Sequence, residues 1–178
     1  MRIRNYRPEN LPTIIQIQQS ALTTDGSTVP PTSVEEWLTN PDMDALANAF
    51  VITDDDDELN GWGQAGTLDG LSGEVVGYTT LTLFQDKDGY HFLCQGAVHP
   101  QQRQQGAGRL LLVGALNRAR ILAAEFEFEA EQEGIPIYFE ALLPARETLS
   151  SQLAEKCELQ AVADVQQNDM QLYRRELW

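Results

Sequence analysis

Apolar side chains recur along the chain with two periods, and the switches between them mark out the elements. Ile3 lies between arginines in the segment 2–7, an alternation of period two that predicts a short strand. From Pro8 the period changes: Leu11, Ile14, Ile15 and Leu22 recur at helical spacing, so PENLPTIIQIQQSAL reads as a helix. DGSTVPPTS is a loop by its glycine, serines and paired prolines. Ser33 with Glu36 forms a capping box for a short helix, VEEWLTN, that stops before Pro41. AFVIT is a compact apolar strand. DDDDE and a glycine-rich stretch follow it, and then EVVGYTTLTLF and YHFLCQGAV, two strands joined through a hairpin turn at QDKDG.

From Ala107 the helical period returns. Leu112, Leu116, Ala119, Ala123 and Phe126 form one stripe of a helix that runs to about Glu133, or that breaks before EFEFEAEQEG, whose own alternation fits a strand equally well. Gly134 ends it. IPIYFEALL is a further strand, RETLSSQLAEK an amphipathic helix, and MQLYRREL a closing strand. Strand, two helices, three strands, helix, strand, helix and final strands give a mixed α/β architecture.

Composition narrows the possibilities. A chain of 178 residues suits one domain over 1–178, with a core that removes roughly 70 % of the unfolded surface from water. Cys94 and Cys157 lack the close spacing of a metal knuckle or a disulfide framework. The polar start and the lack of any long apolar run predict a cytoplasmic protein without a membrane partner. A net charge of −15 repels phosphate backbones, which argues against nucleic acid as a partner. The contiguous acids of DDDDE lack the alternate spacing and central glycine of a calcium loop, so no metal is expected there.

One segment departs from this acidic background. Between Gln95 and Ala124 the chain has no acidic residue but carries Arg103, Arg109, Arg118 and Arg120. Within it, VHPQQRQQGAGRLLL joins a strand ending at Val98 to a helix starting near Gly106. The first N–H groups of a helix have no intrahelical partner and sit at the positive end of its dipole, a ready site for an anion. Gly106 and Gly108 let the backbone approach a phosphate that a Cβ would fend off, the small Ala107 fits between them, and Arg103 and Arg109 add charge. The plain alternative is a tight turn with Gln101, Gln102, Gln104 and Gln105 facing water. A Walker loop is ruled out because no Lys-Ser or Lys-Thr follows the glycines, and a dinucleotide fingerprint would need a third glycine.

With those residues in place, the chain resembles the GCN5-related N-acetyltransferase (GNAT) family. Val98, Pro100, Arg103, Gly106 and Gly108 match that family's hydrophobic-x-Pro-x-x-Arg-x-x-Gly-x-Gly pattern, and GEVVGYTTL and IRNYRPENLPTIIQI resemble its strand before the signature hairpin and its opening strand and helix. The resemblance implies a mostly antiparallel, twisted central sheet flanked by helices, and acetyl-CoA as co-substrate with no metal. The cofactor-binding residues it implies are Val98, His99, Pro100, Arg103, Gln104, Gln105, Gly106, Ala107, Gly108 and Arg109, with the diphosphate on the amides of Gln104 to Gly108. It further implies direct attack by a primary amine of a small molecule, peptide or protein, with N–H groups near Gly96 to Val98 steadying the oxyanion. A homodimer is compatible with the resemblance.

The chain also departs from that pattern. Where similar proteins carry a tyrosine acid, in Leu-Tyr-Glu-Lys-x-Gly-Phe, this chain has LAEKCEL with Ala154 in the tyrosine's place. Glu147 stands where an asparagine is usual, and Ser150 and Ser151 offer hydroxyls nearby. Replacement candidates lie on the strands: Glu140, sharing a face with Tyr138, as a buried base, and His91 as a second one. Cys94 reads as a packed core residue and Trp37 as a wall of the acceptor site or as plain packing. The missing tyrosine keeps a different class open, a non-catalytic acyl-CoA-binding module. A nucleotide-binding α/β protein is the third reading.

Overall fold

The structure is a computed structural model that describes residues 1–26, 33–54, 73–145, 148–167 and 169–177. The loop 27–32, the acid run beyond Asp54, the glycine-rich stretch to residue 72 and Glu147 lie outside the described residues.

Local sequence sets the element boundaries. Strand β1 (Arg2–Asn5) leads through a proline-initiated turn into helix α1 (Leu11–Asp25), which buries Ile14, Ile17 and Ala21. Gly26 ends α1 in the left-handed conformation, its N–H returning to the carbonyls of Leu22 and Thr23. Ser33 caps α2 (Val34–Thr39) by accepting the Glu36 N–H at 3.3 Å. A single turn, α3 (Ala45–Asn48), which the periodicity does not signal, precedes β2 (Ala49–Thr53). The hairpin forms as expected, β3 (Val75–Asp86) turning at Lys87 and Asp88 into β4 (Gly89–Val98).

The ambiguous stretch after α4 (Ala107–Ala123) resolves as helix. The chain breaks at Ala124 to Phe126 and continues as α5 (Glu127–Glu133), ended by Gly134 at φ 66. The break carries Phe126 into the core, 5.0 Å from the Tyr90 ring, while Phe128 stays 69 % exposed. Alternate positions therefore have unlike burial, and the helix-forming glutamates and alanine decide the conformation. Strand β5 (Ile137–Pro144), helix α6 (Thr148–Lys156) and strands β6 (Gln160–Gln167) and β7 (Met170–Glu176) complete the order.

Among the described residues seven strands join one sheet in the order β1-β2-β3-β4-β5-β7-β6, antiparallel except for the central β4–β5 pair. One face packs on α4, α5 and α6 through Phe92 and Phe139, both fully buried, with Leu112, Leu116 and Ala119. The other packs Val51 and Tyr78 against Ile14, Ile17 and Trp37 of α1 and α2. Among the described residues no helix is long and apolar enough to cross a membrane.

Candidate active site

The parallel pair holds only part of the way. β4 and β5 are paired from Tyr90↔Ile137 to Cys94↔Ala141, after which β5 continues to Pro144 alongside β7 alone. The edge of β4 from Gln95 to Val98 therefore loses its strand partner on that side, and its backbone groups need other acceptors and donors. On the opposite side β3 closes tightly: a Cβ on Gly96 would lie 2.2 Å from the Tyr78 carbonyl oxygen, so only glycine fits. The Thr79 hydroxyl donates to the Gln95 carbonyl at 3.0 Å and stands 3.1 Å from the Cys94 sulfur, which anchors the strand where it parts from β5.

Past Val98 the chain makes a turn at Pro100–Gln102, then two left-handed residues, Gln104 at φ 65 and Gly106 at φ 91, before α4 begins. Gly106 is the N-cap of α4 and supplies no side chain, so no side-chain cap satisfies the first N–H groups of this helix. A Cβ built on Gly106 meets no protein atom within 4 Å. The corner is open, with peptide dipoles directed into it.

Splay and corner are two parts of one cavity of about 620 Å³ that passes between β4 and β5 from one face of the sheet to the other. Its charge runs against that of the chain. Among the described residues its lining includes Arg103, Arg109 and Lys156 but a single carboxylate, Asp25. A cationic cavity ending at an open helix N-terminus suits a ligand that carries phosphate.

Residues 12–135 match the model of the acetyltransferase (GNAT) family. The chain belongs to this family. Its fold is similar to that of a GNAT superfamily phosphinothricin acetyltransferase from Sinorhizobium meliloti solved in complex with acetyl-CoA (TM-score 0.63, 18 % identity, covering 99 % of this chain and 88 % of that one). It is likewise similar to a ribosomal-protein-alanine N-acetyltransferase from Brucella melitensis (0.61, 20 %, 99 % and 100 %). A GNAT-family acetyltransferase from Streptococcus pneumoniae is a third such structure (0.62, 14 %, 99 % and 99 %). These likenesses establish the fold, a mixed sheet flanked by helices as the motif implied. No curated protein sequence matches the chain.

In this GNAT member the structure brings together Val98, Arg103, Gln104, Gly106, Gly108 and Arg109 along the cavity. The other loop residues lie outside its lining: His99 accepts the Gln101 N–H through Nδ1 at 3.4 Å, Pro100 opens the turn, Gln105 donates to Gln102 Oε1 at 3.1 Å, and Ala107 is buried. Arg103 is clasped from across the cleft, its Nη1 and Nη2 donating to Asp25 Oδ1 and Oδ2 at 2.7 and 2.9 Å.

Glu140 and Tyr138 sit elsewhere. Glu140 is buried, but its Oε1 accepts from Arg174 Nε at 2.7 Å and lies 3.1 Å from His91 Nδ1, while the Arg174 guanidinium covers the Tyr138 ring at 4.3 Å. The other nitrogen of His91 is 3.1 Å from Asp86, and its ring stacks on Phe84 at 4.8 Å. None of these residues lines the cavity. Cys94 does line it, fully enclosed, and burial pushes its thiol up to about 12. Trp37 also lines it, with the indole N–H donating to Thr82 Oγ1 at 2.8 Å.

Several lining residues carried no sequence signal. Asp25 meets an arginine 78 positions away, a pairing no local pattern encodes. Tyr78 sat on a correctly placed strand, and the register, not the spacing, turns it to the cavity, where burial raises its phenol well above the ordinary range. On α6, Ala154 faces the core, 1 % exposed, whereas Ser150 one turn earlier lines the cavity and is 5 % exposed. The Ser150 hydroxyl has no hydrogen-bond partner among the described residues.

Proposed function

We propose that the chain is an acetyl-CoA-dependent N-acetyltransferase in which a primary amine of a small molecule, peptide or protein attacks the thioester directly and takes its acetyl group. One observation carries this reading: a chain with 12 basic and 27 acidic residues lines its cavity, among the described residues, with Arg103, Arg109 and Lys156 against the single carboxylate of Asp25. Solubility does not require that inversion, and a polyanionic co-substrate does. The fit is supported locally by the open space at Gly106, where no protein atom comes within 4 Å of the position a Cβ would take.

Acetyl-CoA would supply the thioester-activated acetyl group, and the chain's part is to bind and orient it. The free N–H groups at Ala107 to Arg109 suit the diphosphate, with Arg109 and Lys156 adding charge. Arg103 acts chiefly through the loop it steadies, since its guanidinium is occupied by Asp25. The unpaired edge of β4 from Gln95 to Val98 suits the amides of the pantetheine arm, and its N–H groups suit an oxyanion. Ser150 takes the role of proton donor to the departing sulfur that Ala154 cannot fill, its hydroxyl regaining through solvent the proton that the attacking nitrogen sheds. Glu140 and Tyr138 are braces of β5 and β7 in this reading, not reacting groups.

A non-catalytic acyl-CoA-binding module has one observation in its favour, the core-facing Ala154. Calorimetric titration with acetyl-CoA, run beside a thiol-release assay over a panel of amines, separates the two. Binding with release on at least one amine supports the transferase, and binding with none supports the module. Protection against thermal unfolding by ATP or NAD but not acetyl-CoA would instead favour a nucleotide-binding protein.

A further inference from the structure

The two mouths of the cavity differ in chemistry. On the side of α4 and α6 it presents Arg109 and Lys156. On the side of α1 and α2 the lining includes Ala21, Leu22, Val34, Trp37, Tyr78 and Leu142 beside a few polar side chains, with no carboxylate other than Asp25 among the described residues. Asp25 is held by both nitrogens of the Arg103 fork. Its lone pairs and its charge are thus committed to a neighbour inside the protein.

The polar groups of this mouth are neutral, and most are engaged. The Trp37 indole N–H is donated to Thr82, the Thr80 hydroxyl to the Gln95 carbonyl at 3.3 Å, and Tyr78 is hydrogen-bonded to Gln18. The side-chain amide of Gln95 is the exception, lining the cavity without a hydrogen-bond partner among the described residues. An ammonium entering here would lose its water, find among the described residues no carboxylate that is not already paired, and meet no base among them to take its proton. A neutral amine avoids all three penalties, and an uncharged amide beside it would find a partner in Gln95.

We infer that the acceptor is a weakly basic primary amine on an uncharged, apolar body with an adjacent amide: the α-amine of a peptide or amino-acid amide whose first side chain is apolar or aromatic. This rests on the transferase reading. Basicity alone discriminates strongly, because roughly a third of α-amines are neutral near pH 7.5, against about one in a thousand lysine side chains. The net charge of −15 attracts polycations at a distance, yet that attraction is screened within about 8 Å in physiological salt and does nothing inside the mouth.

The test follows thiol release from acetyl-CoA at about pH 7.5 with phenylalaninamide, Nα-acetyl-lysine amide and spermidine, and measures acetyl-CoA binding on the same protein by calorimetry. We expect kcat/KM for phenylalaninamide to exceed that for either competitor by about a hundredfold or more, and to rise with pH up to the acceptor's own pKa. Leu22→Glu, which puts a carboxylate into the mouth, should move the ratio towards Nα-acetyl-lysine amide by about tenfold. Equal or faster release with spermidine or Nα-acetyl-lysine amide in the unsubstituted protein overturns the inference and leaves the transferase standing. No release on any of the three but release on another amine of the panel likewise overturns the inference alone, whereas tight acetyl-CoA binding with no release on any amine of the panel removes both.

Discussion

The carboxylate of Glu140 lies 2.6 Å from Arg174 Nη2 and 3.1 Å from His91 Nδ1, so a single buried acid ties β5 to β7 on one side and to β4 on the other. Removing its charge leaves Arg174 without its counter-ion in a partly buried setting. Glu140→Gln is therefore expected to cost about 3 kcal/mol of folding stability, or a fall in Tm of roughly 6 to 12 °C, with acetyl-CoA affinity changed less than about twofold. Urea unfolding and calorimetry measure the two effects. An unaltered unfolding midpoint combined with lost turnover would return Glu140 to the role of general base.

Gly106 offers a test in which conformation and charge separate. At φ 91 any side chain costs strain, but Asn and Asp tolerate left-handed backbone to a similar degree and are nearly isosteric. Gly106→Asp should weaken acetyl-CoA binding by more than about tenfold relative to Gly106→Asn, since only the former sets a negative charge at the phosphate position. Matching affinities for the two variants, measured by calorimetry, would show that no phosphate approaches this corner.

How far the sequence speaks can be judged from these residues. Periodicity located nearly every strand and helix, because burial on one face imposes it locally. It failed at α3, a single turn too short to show a period, assigned no segment to β6, and stayed undecided at EFEFEAEQEG, where alternation of glutamate and phenylalanine mimics a strand. The glycine corner was legible because backbone conformation restricts residue type at that very position. The environment of Glu140 was not: a carboxylate on a central strand signals either function or pairing, and its partner Arg174 lies 34 positions away on a strand whose register no local pattern sets. The pairing of Asp25 with Arg103, 78 positions apart, was hidden in the same way.

Ser150 supplies a buried hydroxyl with no hydrogen-bond partner among the described residues, which is costly to keep unless something fills the cavity beside it. Ser150→Ala keeps the helix, since alanine favours it. With a donor to the leaving sulfur removed, kcat should fall by about tenfold or more while the KM for acetyl-CoA stays within about twofold. Steady-state kinetics with the best acceptor of the amine panel decide this. Unchanged kcat would assign the proton to water.

Cys94 reports on the enclosed base of the splay. Burial is the main cause that raises its thiol from 9.0 to about 12, with the nearby Cys157 adding to the rise and the Thr79 hydroxyl opposing it. The folded state thus favours the neutral thiol. The associated stability is complete below the ordinary thiol value and is lost as pH climbs through the folded one, so unfolding should become easier between about pH 9 and pH 12. Only the thiolate alkylates, and near pH 8 its population at Cys94 is about a thousandfold below that of an unperturbed cysteine. Iodoacetamide labelling followed by mass spectrometry should accordingly leave Cys94 unmodified under conditions that label an unfolded control completely, and acetyl-CoA should slow the residual reaction further because the thiol lines the cavity it fills. Rapid labelling of the folded protein at neutral pH would mean that β4 and β5 part further down than Cys94↔Ala141 and admit water to the core.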